Sequence, residues 1–257
     1  MDITSLQNSR VKLIVKLRER RARDHEGLML VEGYYEIEIA LKSGLLPQTV
    51  YIAPEVVGEK SLIGLQSEIV TVSKQVFEKI SYRDNPDGWL AVFPTPHPSL
   101  DGIVLPENPF VIIAEAIEKP GNLGAILRTA DAAGVDLLVV SHPRTDVYNP
   151  NVVRASRGAV FTVPVAQASN SETLTWLREK SITIIATSPG ANRTYTEINL
   201  CKPLAIAVGT EDTGLSDFWM DNADEKVSIP MVGEVNSLNV SASTAIIAYE
   251  IVRQRSL

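Results

Sequence analysis

The sequence predicts an α/β protein with a mostly parallel C-terminal sheet and a small N-terminal α/β unit. Apolar strand-like runs alternate with helical stretches along 257 residues, of which 45% are hydrophobic, as in chains that bury a full core. Five of the prolines fall between residues 94 and 109. A proline-rich stretch of this kind is typical of a semi-rigid linker. It predicts a linker at 96–108 between domains at 1–95 and 109–257.

The elements of the N-terminal unit follow from residue spacing. Asn8 or Ser9 can cap a first helix, whose apolar residues recur at helical intervals while its other face is basic. Further helices are expected at 34–42, 61–67 and 74–80, and strands at 28–31, 49–53, 69–72 and 89–93. These short alternating elements indicate a small α/β unit.

The C-terminal unit has strands rich in valine, isoleucine and alanine with helices between them. That pattern indicates a parallel sheet covered on both faces. The strands are expected at 110–114, 136–140, 161–165, 183–187, 204–208 and 226–229. The helices are expected at 122–133, from about 150 through Arg157, and at 172–180, 215–222 and 240–253.

The formal net charge of −7 argues against a protein coated in basic surface, but one segment is strongly basic. Between residues 8 and 23, Glu19 is the only acidic residue, against Arg10, Lys12, Lys16, Arg18, Arg20, Arg21 and Arg23. This cluster is either a solvated helix face or an arm that contacts nucleic-acid phosphates.

Several function classes are disfavoured by the sequence. No apolar run reaches the roughly 20 residues that a membrane helix needs, and the first residues lack a signal-peptide pattern. Cys201 is the only cysteine, and the three histidines lack the spacing of metal ligands. We therefore expect a cytoplasmic protein that binds neither metal nor membrane.

Three loops are expected at the carboxyl ends of the C-terminal strands, where open parallel sheets bind ligands. They cover residues 122–128, 208–215 and 229–242. Gly121 and Gly124 do not fit the dinucleotide-binding spacing, and no P-loop is present. The sequence therefore points to a different kind of ligand site.

Two features of these loops suggest chemistry. Arg128 stands among alanine, leucine and isoleucine, and a buried arginine is costly unless it is paired. Glu211 is the expected partner, with a purely structural ion pair as the alternative. Ser237, Asn239 and Ser241 precede or begin the last helix, which needs only one N-cap. The remaining residues could bind a small polar ligand.

Taken together, three motifs resemble the SpoU/TrmH branch of the SPOUT RNA 2′-O-ribose methyltransferases. They are Asn122-x-Gly124-x-x-x-Arg128, Gly209-x-Glu211-x-x-Gly214-Leu215, and Pro230-Met231 through Ser237-Leu238-Asn239-Val240-Ser241. The N-terminal part is similar to the substrate-binding domain of this branch. Its matching pieces are Ile3-x-Ser5-x-x-Asn8-x-x-Val11-Lys12, the basic segment and Val31-Glu32-Gly33.

The resemblance covers nearly the whole chain, and it implies features of the fold, cofactor and site that the spacing of the motif residues does not show. It implies a trefoil knot in the C-terminal domain, an exception to the rule of un-knotted folds, and a homodimer formed through that domain. It also implies a ribosomal-protein-like RNA-binding domain at the N terminus and S-adenosylmethionine as cofactor. The implied catalytic residues are Asn122, Arg128, Glu211, Ser237 and Asn239, and the implied cofactor-binding residues are Gly209, Ile229, Met231, Leu238 and Ser241. The expected RNA contacts are Arg10, Lys12, Arg18, Arg20, Arg21, Arg154 and Arg157.

The expected reaction is methyl transfer to a ribose 2′-hydroxyl, and the N-terminal domain favours ribosomal RNA as the substrate. Transfer RNA is the alternative substrate, and a non-catalytic RNA-binding module is the alternative class. A role in resistance to a ribosome-targeting antibiotic is compatible with the leading class. In this family Arg128 is the proposed activator of the hydroxyl. An arginine stays protonated in proteins, so we expect Arg128 to orient the ribose or its phosphate.

Overall fold

The computed structural model describes residues 2–58, 62 and 67–256. Contacts divide these residues into two compact units. The first contains the residues up to His97 together with Asp146–Thr162, and the second contains Pro98–Thr145 and the residues from Val163 onwards. A short stretch of the C-terminal sequence is therefore part of the unit built by the N-terminal residues.

The first unit is a five-stranded mixed sheet with helices. Its elements are β1 (Asp2–Ile3), α1 (Ser9–Lys16), α2 (Arg20–Glu26), β2 (Leu28–Glu32), α3 (Tyr34–Lys42), β3 (Thr49–Ile52), β4 (Glu68–Val72), α4 (Lys74–Ile80) and β5 (Trp89–Pro94). The strand order is β1-β4-β3-β5-β2, in which β5 runs antiparallel to both of its neighbours. The helix expected at 61–67 lies largely outside the described residues.

The basic segment forms two helices, so the expectation of one basic helix was wrong. α1 ends at Lys16, and Glu19 adopts an extended conformation before α2 begins at Arg20. Leu17 and Arg23 are both almost fully buried. In one continuous helix, positions six apart lie roughly 120° apart around the axis. The break lets both side chains point into the unit.

Arg23 anchors the stretch 146–162 within the first unit. Its Nε and Nη2 donate to Asp146 Oδ2 at 2.9 and 2.5 Å, and its Nη1 donates to the carbonyls of Leu17 and Arg18 at 2.9 and 2.8 Å. The Arg23 side chain is only 2% exposed. Its charge is therefore fully paired where solvent cannot reach it.

We expect Arg23→Ala to lower the free energy of unfolding by about 3 kcal/mol, because it leaves Asp146 and two carbonyls without their donor. Urea titration followed by circular dichroism measures the loss. Arg21→Ala is the matched control, since Arg21 is exposed on the same helix. Equal losses for the two variants would contradict the anchoring role.

The second unit is built around a seven-stranded sheet. Its elements are β6 (Phe110–Glu115), α5 (Pro120–Ala132), β7 (Leu137–Ser141), β8 (Val165–Ala168), α7 (Asn170–Glu179), β9 (Thr183–Thr187), β10 (Arg193–Thr194), β11 (Leu204–Val208), α8 (Asp217–Asn222), β12 (Glu225–Ser228) and α9 (Val240–Arg255). The helix α6 (Pro150–Ser156) lies between β7 and β8 in the sequence but belongs to the first unit. The order is β10-β12-β9-β11-β6-β7-β8, and every pairing of these described strands is parallel. The predicted α/β fold class is confirmed.

Two element predictions around residue 160 were wrong. The expected strand at 161–165 is replaced by a short 3-10 helix, Ala159–Phe161, and β8 begins only at Val165. Pro164 has no N–H to give to a strand ladder, which favours a start after it. The helix expected to include Arg157 ends at Ser156, and Arg157 closes it in a left-handed conformation with φ 53°.

The proline-rich stretch packs on the second unit. Leu100, Ile103 and Leu105 are partly buried against the core cluster on one face of its sheet, and Pro98 accepts a hydrogen bond from the Gln167 amide at 3.3 Å. The boundaries predicted at 95 and 109, and the trefoil knot, stay predictions. No helix within the described residues has the length and apolar character needed to span a membrane.

Candidate functional site

A cavity of about 400 Å³ opens in the second unit beside the carboxyl ends of β12, β9 and β11, which are neighbours in the sheet. Its walls come from residues 187–189, 208–215 and 236–238, from Ile229 and Met231, and from side chains of the first half of α9. Parallel strands bring the loops that follow them to one edge. The cavity therefore lies at two of the three loops predicted to bind a ligand, 208–215 and 229–242, while no residue of 122–128 lines it.

The loop after β11 is closed by its own backbone. The amides and carbonyls of Thr210 and Gly214 exchange two hydrogen bonds of 3.0 Å, and the Thr210 and Thr213 hydroxyls lie 2.8 Å apart. A Cβ atom on Gly209 would overlap the backbone of Gly214 and Leu215. Glycine at 209 thus permits a tight loop that forms one wall of the cavity.

Four of the five residues expected to bind the cofactor line this cavity. They are Gly209, Ile229, Met231 and Leu238. Ser241 does not line it, and its hydroxyl instead donates to Asn239 Oδ1 at 2.6 Å. Ser243, two residues further along α9, lines the cavity instead, because side chains two positions apart in a helix point to nearly opposite sides.

Asn239 serves two purposes through the two ends of its amide. Its Oδ1 caps α9 by accepting from the Ser241 amide at 3.0 Å. Its Nδ2 donates to Asn122 Oδ1 at 3.2 Å and to Glu211 Oε1. Ser237 is exposed and lines the cavity. Of Ser237 and Asn239, the residue that caps α9 is therefore Asn239, and its amide nitrogen also contacts Asn122 and Glu211.

Glu211 is held as a carboxylate by its neighbours. Lys119 forms an ion pair with it, and the hydrogen bond from Lys119, followed by those from Asn122 and Asn239, lowers the pKa of Glu211 despite some desolvation. The same contact raises the pKa of Lys119. At neutral pH, Glu211 is therefore an ionised acceptor and Lys119 an ionised donor, which suits them to positioning rather than proton transfer.

Lys119 was missed by sequence reasoning, and Arg128 was placed wrongly. Arg128 is exposed on α5, so it is not a buried arginine, and the charged partner of Glu211 is Lys119. The physical reason is the helix periodicity of α5, which turns Leu123, Ile126 and Leu127 inward and leaves position 128 outside. Asn122, at the start of α5, does join the cluster.

The buried carboxylate of Glu115 holds the segment that directly follows the loop carrying Glu211. Glu115, 4% exposed at the end of β6, accepts hydrogen bonds from the Ser216 amide and hydroxyl at 2.8 and 2.6 Å and from Asn170 Nδ2 at 2.6 Å. Ser216 directly follows the loop that carries Glu211. Glu115 could have been noticed in the sequence, because it is an acidic residue that directly follows an apolar run.

The residues expected to contact RNA lie in the first unit, and several have partners within the protein. Arg10 pairs with Glu68 at 2.9 Å and Arg20 with Asp24 at 3.5 Å. Arg18 donates to the carbonyls of Lys79 and Ser81 at 2.7 and 2.6 Å. The other four are exposed and form no ion pair with another described residue; they are Lys12, Arg21, Arg154 and Arg157.

Comparison with known proteins matches both parts of the chain. Residues 109–249 match the SpoU rRNA methylase family, and residues 8–91 match the MRM3-like substrate binding domain. A similar relative is the 23S rRNA (guanosine-2'-O-)-methyltransferase RlmB of Pectobacterium atrosepticum, which is 40% identical over 150 residues. That match spans 58% of this chain and 62% of the relative, so it covers less than two thirds of the relative's length.

Two solved structures are similar over almost the full length. The crystal structure of an RNA 2'-O ribose methyltransferase has a TM-score of 0.90 and 40% identity, with 100% of both chains covered. The AdoMet-bound rRNA methyltransferase from Sinorhizobium meliloti has a TM-score of 0.89 and 30% identity, with 98% of this chain and 97% of the other covered. With a family match over more than half of its residues, this chain belongs to the SpoU rRNA methylase family.

Proposed function

We propose that this protein transfers a methyl group from S-adenosylmethionine to a ribose 2′-hydroxyl of RNA, with ribosomal RNA as the preferred substrate. The observation that carries the proposal is the hydrogen-bonded cluster of Asn122, Glu211 and Asn239, in which Glu211 also lines the strand-end cavity. Family membership supports the reaction type. The similar relatives named as 23S rRNA methyltransferases and the match to a substrate-binding domain support the choice of RNA.

The cavity suits a cofactor of this size and character. Its volume of about 400 Å³ lies in the usual range for small-ligand sites, roughly 300–1,000 Å³. Apolar side chains such as Ile229, Met231 and Leu238 can hold a flat aromatic base, while the loop after β11 offers backbone groups. The glycine at 209 keeps a Cβ atom out of this wall. Bound there, S-adenosylmethionine would supply a methyl group on a positively charged sulfur.

The residues of the cluster act mainly by positioning. Methyl transfer to a hydroxyl is an in-line displacement, so the oxygen, carbon and sulfur must be aligned. Glu211 is fixed by Lys119, Asn122 and Asn239, and Asn239 is itself fixed by its role as the cap of α9. Such a network holds each side chain in one orientation and can present it to the ribose without further rearrangement.

Two measurements test the proposal. Isothermal titration calorimetry with S-adenosylmethionine should show saturable binding, whereas a non-catalytic RNA-binding module would show none. Transfer of labelled methyl groups to RNA from a deletion strain, followed by mapping of 2′-O-methyl positions, identifies the substrate. Labelling confined to transfer RNA would favour the alternative substrate. Absence of both binding and transfer would refute the enzymatic proposal.

We expect Arg128→Lys to lower the single-turnover rate about 30-fold and to leave cofactor affinity unchanged. Lysine keeps the charge but lacks the planar fork that orients a ribose or phosphate, and misplaced reactants cost rate. Arg128 does not line the cavity, so calorimetry should report the wild-type affinity. A near-normal rate would show that the fork is not needed.

We further propose that the protein is a cytoplasmic homodimer formed through the second unit. Two observations support a self-association surface on its helices. α5 and α9 pack together, and the side chains of Arg128 and Tyr249 are exposed on them, with Tyr249 51% exposed. Sedimentation velocity of the full chain tests the stoichiometry, and Tyr249→Glu should favour the monomer. A monomer at micromolar wild-type concentration would contradict this part of the proposal.

A further inference from the structure

The cluster around Glu211 joins two segments of the chain that follow different strands of the sheet. Lys119 and Asn122 come after β6, whereas Glu211 lies in the loop after β11. These two strands are neighbours, and the parallel ladder between them ends at the pair Ala114 and Val208. Other contacts must therefore fix the two segments against each other where the cluster forms.

Glu115, the last residue of β6, provides such a contact. Its buried carboxylate accepts hydrogen bonds from the amide and the hydroxyl of Ser216 at 2.8 and 2.6 Å. Glu115 lies four residues before Lys119, and Ser216 lies five residues after Glu211. One side chain thus connects the two segments a few residues along the chain from the ion pair between Lys119 and Glu211.

The hydroxyl of Ser216 serves this connection rather than the helix that follows it. Ser216 occupies the N-cap position of α8, where a serine hydroxyl commonly accepts a hydrogen bond from a helix amide. Within the described residues, the Ser216 hydroxyl makes no such bond with α8 and donates to Glu115 instead. Two donors of one residue are therefore directed to one carboxylate at the end of β6.

A short chain of hydrogen bonds fixes the Glu115 carboxylate itself. Asn170 Nδ2 donates to Glu115 Oε1 at 2.6 Å, and the Ser141 hydroxyl donates to Asn170 Oδ1 at 2.5 Å. Ser141 is fully buried at the end of β7, and its carbonyl accepts from the Ala116 amide at 2.9 Å. The orientation of Glu115 is thus set by the start of α7 and by the end of β7.

The backbone that leads from Glu115 to Lys119 is also held in one conformation. Ala116 has a φ of 51°, in the left-handed region that is unfavourable for a residue with a Cβ atom. The Thr145 hydroxyl donates to the Glu118 carbonyl in the same segment. A strained residue persists only where its surroundings hold it. A displacement at Glu115 is therefore passed on to Lys119 rather than absorbed between them.

Asp136 offers a comparison at the other end of the same strand. It accepts a hydrogen bond from the Phe110 amide at 2.7 Å, where β6 begins. The cavity lies beside the carboxyl ends of the strands, so this contact is at the opposite edge of the sheet. Both carboxylates hold a backbone amide at an end of β6, but only Glu115 is bonded next to the loop that carries Glu211.

We propose that Glu115 is a positioning residue for the methyl-transfer reaction and acts through Ser216 on the loop 208–215. This loop carries Glu211 and forms one wall of the cofactor cavity, so one contact sets the position of both. Glu115 is not among the described residues that line the cavity, and its effect on the reaction is therefore indirect. The proposal rests on the proposed function, because it takes methyl transfer as the reaction.

The test compares full-length variants by single-turnover rate and by calorimetry with S-adenosylmethionine. Glu115→Leu keeps a similar volume but removes every acceptor for Ser216 and Asn170. We expect its rate at saturating cofactor to fall about 100-fold, since small displacements of reacting groups have effects of that size. We expect the cofactor to bind about tenfold more weakly, because the loop must then be ordered on binding.

Asp136→Leu is the matched control, because it removes the acceptor of a backbone amide at the other end of β6. Urea titration should show a loss of stability for both leucine variants. A merely structural role would affect both in the same way, whereas positioning affects the rate and the cofactor affinity of Glu115→Leu alone. Equal rates for the two folded variants overturn the proposal.

Glu115→Gln tests whether the contact to Ser216 is what the reaction needs. Glutamine keeps an oxygen for the Ser216 amide, and Asn170 can turn its amide over to accept from the new nitrogen. We expect this variant to recover most of the rate, to within about fivefold of the wild type, since the geometry survives with weaker hydrogen bonds. A glutamine variant as slow as the leucine variant overturns the proposal.

Ser216→Ala keeps the test decisive if Glu115→Leu does not fold. It removes one of the two donors to Glu115, and the lost hydroxyl does not cap α8. We expect a rate about fivefold lower, at wild-type stability of the sheet, and an unchanged rate overturns the proposal. If the wild type neither binds the cofactor nor methylates RNA, the proposed function has failed. If it does both and the variants at Glu115 and Ser216 match it, only the role of Glu115 has failed.

Discussion

We expect Asn239→Asp to lower the single-turnover rate of methyl transfer about 1000-fold while the protein stays folded. Aspartate retains the oxygen that caps α9 by accepting from the Ser241 amide, and it is as good an N-cap as asparagine. It removes the amide hydrogens that Glu211 and Asn122 accept. A second carboxylate then faces Glu211, and the repulsion pushes both groups out of their fixed positions.

The control for this prediction is Asn149→Asp. Asn149 caps α6 in the same way, by accepting from the Asn151 amide at 2.9 Å, but it belongs to the first unit. The chemical change is identical and the catalytic cluster is untouched. Rapid-quench assays of both variants measure the rate, and thermal unfolding checks the fold. If the two variants retain similar rates, the amide of Asn239 has no part in the reaction.

We expect Gly209→Ala to weaken S-adenosylmethionine binding by about 5- to 150-fold, because inserting an atom into packed structure costs roughly 1–3 kcal/mol. The atoms that the new methyl group would overlap are backbone atoms of Gly214 and Leu215, which cannot rotate away as a side chain can. The loop must then open, and the wall of the cavity moves with it. Calorimetry measures the change directly.

Gly233→Ala is the matched control for this substitution. It lies in the loop before α9, and a Cβ atom there meets nothing within 4 Å. We therefore expect cofactor binding close to that of the wild type. Unchanged affinity in Gly209→Ala would mean that the loop after β11 adapts freely, and the close approach at Gly209 would then have no bearing on the cavity.

Periodicity was sufficient to predict the α/β class and most elements. The sheet of the second unit is built from short, continuous apolar runs, as in β6, β9 and β11, and such runs are typical of buried parallel strands. The strand near 161 failed because a run of apolar residues looks the same in a strand and in a buried turn. In the structure, the left-handed conformation of Arg157 ends α6, and Pro164 delays the start of β8 to Val165. A search for apolar runs gives little weight to either residue.

The site was predicted in part, and the errors share one cause. Residues that line the cavity through their own loop, such as Gly209, Met231 and Leu238, were among those that the family resemblance implied. Pairings across loops were not, because spacing along the chain does not say which side chain faces which. Glu211 therefore received the wrong partner, and Lys119 was overlooked although it directly precedes α5, the helix that carries Asn122.

The anchoring of residues 146–162 by Arg23 has a consequence for exchanging modules between related enzymes. A chimera that transplants only residues 1–97 would place the Arg23 guanidinium against a foreign stretch that need not offer a carboxylate at the position of Asp146. This module is encoded by two separate segments of the gene, which must be exchanged together. Recombination that keeps them together preserves the module, and a single crossover between them breaks it.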